Sequence, residues 1–146
     1  MNVLFSRIEH NSLEYFPCIL LRYTVLRKPL NLIFTSEQLA EECSEIHLLG
    51  KQEETLVCCL QFRPIDKSTV QMRQVAVAEN FQTKGIGRAL VEYSEAVARE
   101  ERFSEIILHA RDTAVQFYLK LGYEVYGEPF TEVGIPHRNM RKFLHN

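Results

Sequence analysis

The turn Gln82-Thr83-Lys84-Gly85-Ile86-Gly87-Arg88 sets two glycines and two basic side chains at the head of the chain's strongest helical pattern. Backbone N–H groups at a helix start lack intrahelical acceptors and sit at the positive end of the macrodipole, and glycine lets a ligand approach the bare backbone. Lys84 and Arg88 add charge of the right sign, so the turn can hold an anion such as a phosphate. Two familiar phosphate loops are excluded. A Walker loop needs GxxxxGK[ST] and a dinucleotide turn needs GxGxxG with a ribose-binding acid, and Gly85-Ile86-Gly87 satisfies neither. Taken alone, the pattern is equally compatible with a tight structural turn. His109, His137 and Glu132 are further side chains able to exchange protons, although a surface or hydrogen-bonded structural histidine is the simpler reading of each.

The elements that would position these groups follow from periodicity. Val70 to Ala78 carries apolar side chains first at Val70 and Met72, then at Val75 and Val77, a change of phase that one regular strand cannot keep. Either a β-bulge near Arg73 or Gln74 inserts a residue, or the strand is buried on both faces. The helix expected over Lys84 to Arg102 turns Ile86, Ala89, Leu90, Tyr93, Ala96 and Val97 inward, with Arg88, Glu92, Glu95 and Arg99 opposite. Ser104 to Ala110 reads as a strand. A helix containing Ala114, Phe117, Tyr118 and Leu121 follows, capped by Asp112 or Thr113 and ended by Gly122.

Upstream, Leu13 to Leu26 is expected to be helical, with Phe16, Leu20, Tyr23 and Leu26 as its stripe and Pro29 as its stop. Ser36 to Cys43 is a shorter helix with Ser36 as N-cap. Glu45 to Leu49 and Thr55 to Arg63 read as strands around a polar turn, Gly50 to Glu54, and Tyr123 to Leu144 reads as a hairpin or two late strands. This order indicates an α/β (α+β) fold with a mixed sheet and helices on both faces.

With 146 residues and no repeat or Gly/Ser-rich linker, residues 1–146 read as a single domain. The net charge of −2 supplies no general field for nucleic acid or an anionic membrane. The four cysteines form no CxxC pair, so no metal is expected, and Cys58 and Cys59 read as small buried hydrophobes. No secretory signal is visible and no window approaches the roughly 20 apolar residues of a membrane span, which suggests a soluble cytoplasmic protein.

Val75-Ala76-Val77, then Gln82-x-x-Gly85-x-Gly87-x-Ala89-Leu90, then Phe117-Tyr118-x-Lys120-x-Gly122-Tyr123 occur in order along residues 70–126. Together they resemble the GCN5-related N-acetyltransferase (GNAT) superfamily. The tail Gly134-Ile135-Pro136-His137-x-x-Met140 further resembles its ElaA-type branch. The resemblance implies a mostly antiparallel central sheet and transfer of acetyl from acetyl-CoA to a primary amine, directly through a tetrahedral intermediate and without a metal. It implies that Val75, Ala76 and Val77 meet the pantetheine and acetyl carbonyl, that Gln82 to Arg88 takes the pyrophosphate, and that Phe117 lies at the cofactor.

Tyr118 matches the family's tyrosine and is the expected proton donor to the departing thiolate. Without that context, Tyr118 reads as core beside Phe117. Where the family usually has asparagine, this chain has Arg111, which either meets a CoA phosphate or lies in solvent. No acid lies on the strand before Val75, where some relatives place a general base, so His109 and His137 are the candidates, with Glu132 third. A dedicated base is not obligatory, because water can carry the proton outward. A small-molecule amine is the expected acceptor, with a protein lysine or N-terminus, or a non-catalytic CoA-binding sensor or interaction module, as alternatives. A homodimer is expected through the late aromatic strands, Tyr123 to Phe130.

Overall fold

The computed structural model describes residues 2–145, which divide into two compact units, Met1–Arg63 with Gln74–Ser94 and Pro64–Arg73 with Glu95–Asn146. The sheet order is β1-β2-β3-β4-β5-β7-β6, and strand β4 (Thr69–Val77) runs through both units.

In the first unit, β1 (Leu4–Ile8), β2 (Ile46–Gln52) and β3 (Thr55–Pro64) pair antiparallel in sequence. Apolar residues run almost without a break along β2 and β3 because both faces are covered. On one face Leu49, Cys59 and Ala76 pack against Cys18 of helix α1 (Tyr15–Arg22). On the alternate face Phe5 stacks on Tyr93 of helix α3 (Ile86–Glu100) with ring centroids 5.3 Å apart. Gly50 lies inside β2 at a register shift, not in the expected turn. A Cβ there would meet Cys58 Sγ at 2.6 Å and Phe5 at 2.9 Å, so the glycine serves close packing. The hairpin instead turns at Glu53, whose φ is +55°.

Helix α1 presents a different face from the one expected. Tyr15, Cys18 and Arg22 are buried, while Phe16 and Leu20 are exposed. The reason lies in Glu42, just past helix α2 (Ser36–Glu41). Its carboxylate accepts from both terminal nitrogens of Arg22, at 2.9 and 2.6 Å, and from the Tyr15 hydroxyl at 2.6 Å. A bidentate partner lets a guanidinium 1% exposed turn inward. Beyond Arg22 the chain winds into a π-helical turn, Tyr23–Arg27, and a 3-10 turn, Lys28–Leu30, before Asn31 in the left-handed region. Helix α2 is capped one residue earlier than expected, by Thr35 in a reciprocal capping box with Gln38.

His47 is buried beside Tyr15 and donates from Nε2 to the Glu42 carbonyl at 2.9 Å, and its desolvation holds its pKa below the usual 6.5. Around that pH the unfolded chain takes a proton that the folded chain does not, so stability is full above about pH 6.5 and falls as pH drops below it. Urea unfolding midpoints measured at pH 7.5 and 5.5 should differ less in His47→Gln than in the natural chain.

In the second unit the first residues of β4 pair in parallel with β5 (Glu105–Arg111), which pairs antiparallel with β7 (Ile135–Phe143), itself antiparallel to β6 (Glu124–Glu132). Ile106, Leu108, Ala110 and Met140 form its buried set. Glu95, expected on the outer face of α3, is buried there, where it accepts from the Tyr123 hydroxyl at 3.0 Å and Lys142 Nζ at 3.0 Å. Ala96 is exposed in its place. Neither Asp112 nor Thr113 caps α4 (Val115–Lys120). A 3-10 turn over Asp112–Ala114 leads in, and Ala114 offers no side-chain acceptor. The late hairpin closes on Val133 and Gly134, both at positive φ. The terminal strand β6 has a register irregularity between Tyr126 and Phe130 and carries Glu124, Glu128 and Pro129. Such features resist strand addition, so association through this edge would rest on side chains.

Candidate active site

The turn is built as a helix start with an open approach. Gly85 O accepts from Ala89 N–H at 3.1 Å, the first bond of α3, which places Gly85 at the N-cap and leaves the N–H groups of Ile86, Gly87 and Arg88 at the helix mouth. A serine or aspartate there would occupy those donors with its own side chain. Gly85 has φ +82°, Thr83 has φ +64°, and a Cβ on Gly85 would meet nothing within 4 Å. The helix therefore starts at Ile86, two residues later than expected, and Gln82 to Gly85 form the exposed loop before it.

Gln82 Nε2 donates to Val77 O at 3.0 Å, tying the loop to the end of β4. Thr83 Oγ1 donates to Gln82 O at 2.6 Å. Lys84 Nζ lies 5.8 Å from the Phe81 ring centroid, and Arg88 Nε is 3.5 Å from Glu92 Oε1. With no acid in the first turn of α3, the loop has a positive helix end and two exposed cations.

On β4, Gln74 stands at φ +55°, one of the two positions at which the sequence allowed a bulge as an alternative to a strand buried on both faces. Val75 and Val77 are half-buried, whereas Ala76 is buried against Cys18, Leu49 and Cys59. The β4–β5 ladder ends at Met72 opposite Leu108. Near the end of β4 a cavity of about 610 Å³ is walled by Pro17, Leu21 and Val25 of the first helical segment, with Leu56, Ala78 and Gln82. Sequence reasoning missed this wall. The π-helical turn that shapes it has no simple period to read, although such turns recur at functional sites.

In the second unit, Tyr118 is buried with its ring against Phe117 and Tyr123, at centroid distances of 5.0 and 5.6 Å. Its hydroxyl has no hydrogen-bond partner among the described residues, and burial pushes its pKa above the usual phenol value. Phe117 is exposed on the same short helix. Arg111, half-buried at the end of β5, already has an interaction of its own.

The three proton-exchanging candidates, spread over 29 positions, come together. His109 Nδ1 lies 3.0 Å from Glu132 Oε1, and His137 Nε2 lies 3.7 Å from Glu132 Oε2. His137 Nδ1 is 2.7 Å from Ile135 O. Phe130 sets its ring against both imidazoles, at 5.0 Å from His109 and 5.7 Å from His137. The strand register produces this, because Arg111 pairs with His137 and Phe130 pairs with His137 from the other side. The three side chains do not converge as metal ligands.

A strand broken near its end, a glycine turn and a helix mouth followed by strand, helix and hairpin define an acyltransferase type of domain. Residues 31–144 match the acetyltransferase (GNAT) domain family, and the chain belongs to that family of N-acetyltransferases. YjcF of Bacillus subtilis, an uncharacterized N-acetyltransferase, is 30% identical over 118 residues, spanning 75% of this chain and 84% of the relative. The fold is shared with Escherichia coli ElaA at TM-score 0.79 and 21% identity, over 97% of this chain and 99% of that one. It is also shared with a GNAT acetyltransferase of Elizabethkingia anophelis solved with acetyl-CoA bound, at TM-score 0.76 and 19% identity over 98% and 99% of the two chains.

Proposed function

We propose that this chain transfers the acetyl group of acetyl-CoA to a primary amine of a small molecule. The observation that carries the reading is the exposed turn Gln82 to Gly85, opening on a helix mouth beside Lys84 and Arg88 with free space over Gly85. The pyrophosphate takes the N–H groups of Ile86, Gly87 and Arg88, with Thr83 and Lys84 on its flank. The pantetheine lies along Val75, Ala76 and Val77, Phe117 is a further cofactor contact, and Arg111 is assigned to a CoA phosphate. The open recess of about 610 Å³ near the end of β4 falls in the size range of small-molecule sites, which supports a small acceptor.

The amine nitrogen forms a bond to the acetyl carbon, and the carbon–sulfur bond breaks as the tetrahedral intermediate collapses. Tyr118 gives its phenolic proton to the departing sulfur, and it regains one from the nitrogen as that becomes an amide. No metal enters the scheme.

Thermal shift tests the donor. Acetyl-CoA and CoA should both raise the melting temperature, since a ligand at a hundred times its Kd adds about 2.7 kcal/mol, whereas ATP at equal concentration should do so weakly. The double variant Lys84→Ala/Arg88→Ala should weaken acetyl-CoA binding about tenfold or more, as two charge-assisted contacts are lost. No response to either CoA species would remove the reading.

A further inference from the structure

The recess at the end of β4 combines apolar walls with a single charge. Every residue that lines it lies in the first unit, together with Val75, Ala76, Val77 and the glycine turn. Two hydrogen bonds fix it to that strand end. Ala78 N–H donates to Val57 O at 2.8 Å and Gln82 Nε2 donates to Val77 O at 3.0 Å, so two of its wall residues are anchored where β4 stops. Further wall comes from α1 and the π-helical turn after it, through Leu20, Leu21 and Val25, and from Leu56 at the start of β3.

Three polar side chains interrupt this apolar lining, and they are not equally engaged. Thr24 Oγ1 donates its one hydrogen to Leu20 O at 2.9 Å, and Gln82 is tied to β4 through its amide. Glu79 is exposed, and its carboxylate has no hydrogen-bond or ion-pair partner among the described residues. No lining residue is basic. A carboxylate or phosphate on a ligand therefore meets no counter-charge in the recess, and a row of ligand hydroxyls meets few donors. An ammonium meets an unengaged carboxylate, and an alkyl chain leaves water for apolar walls.

Resting on the acetyl-transfer reading, we propose that this recess selects the acceptor as a cationic alkylamine, with Glu79 as counter-charge to the ammonium and the carbon chain against Leu20, Leu21, Val25 and Leu56. Glu79 determines specificity and takes no part in making or breaking bonds. The same lining disfavours amino acids, amino sugars and phosphorylated amines.

The test reads binding and turnover separately. Calorimetric titration of the CoA complex with butylamine, pentylamine and hexylamine should show affinity rising about two- to fourfold per added methylene, and kcat/KM for acetyl transfer should rise in parallel. Norleucine, which is pentylamine with a carboxylate beside its ammonium, should bind at least about tenfold more weakly than pentylamine, because like charges meet at Glu79. Glu79→Gln should raise KM for hexylamine about three- to tenfold, with kcat and the KM for acetyl-CoA within about twofold. Leu20→Gln should shrink the gain per methylene. Both side chains are exposed, so neither variant removes core packing. A flat chain-length series, norleucine binding as well as pentylamine, or an unchanged KM for hexylamine in Glu79→Gln would each overturn the proposal. Thiol release confined to amines that carry carboxylates or several hydroxyls would overturn it and leave acetyl transfer standing. If no amine releases thiol, the acetyl-transfer reading falls and the acceptor assignment falls with it, whatever the titrations show.

Discussion

Tyr118→Phe should lower kcat by about a hundred- to a thousandfold, with acetyl-CoA affinity retained within about twofold and the fold about as stable as before. No hydrogen bond to a described residue is lost, and packing against Phe117 and Tyr123 survives in phenylalanine. Burial raises the phenol's pKa, which keeps it protonated well into the alkaline range, so kcat should show no alkaline loss from this group below about pH 10. Unchanged kcat in the variant would remove Tyr118 as the proton donor.

Glu42→Ala should destabilise the protein by about 3–5 kcal/mol, a large part of the roughly 5–15 kcal/mol that holds a domain folded. The alanine leaves Arg22 buried with no counter-charge and takes an acceptor from Tyr15. The Phe34 ring, 4.5 Å from the guanidinium, cannot replace a carboxylate. Replacing both charges, as Arg22→Met/Glu42→Leu with Tyr15→Phe, should recover much of the loss, because apolar groups of similar volume avoid the desolvation cost altogether. Burial by itself raises the Glu42 pKa, but the hydrogen bonds from Arg22 and Tyr15 outweigh it and hold the group below the usual 4.5. Its contribution is therefore present above about pH 4.5 and lost as pH falls through the lower, folded-state value. Urea unfolding of the single and triple variants at neutral pH measures both expectations.

Local signals were readable where the backbone itself makes the demand. The phase change along β4 left a bulge or a doubly buried strand open, and the positive φ of Gln74 falls where the bulge was placed; glycines before a long amphipathic run marked the helix mouth at Ile86. The late hairpin was legible from its turn formers. Side-chain partners distant in sequence were not legible. Helix α1 has two apolar stripes, and only Glu42, twenty residues on, decides that the one containing Arg22 faces inward. Glu95 reads as a surface residue until Tyr123 and Lys142 are brought to it. The individual candidates His109, Glu132 and His137 could be named from residue type, but their union depends on strand register and a two-residue turn. Gly50 looked like a turn residue because sequence carries no trace of the sulfur packed against its missing Cβ.

The central claim is transfer of acetyl from acetyl-CoA to an amine, and release of free CoA thiol against a panel of primary amines tests it most directly. The expected result is thiol release that requires a particular small amine, saturates with it, and yields one N-acetylated product per thiol. Tight binding of acetyl-CoA with no amine-dependent thiol release across small amines, lysine peptides and peptide N-termini would contradict it, and would leave a module that binds CoA without catalysis.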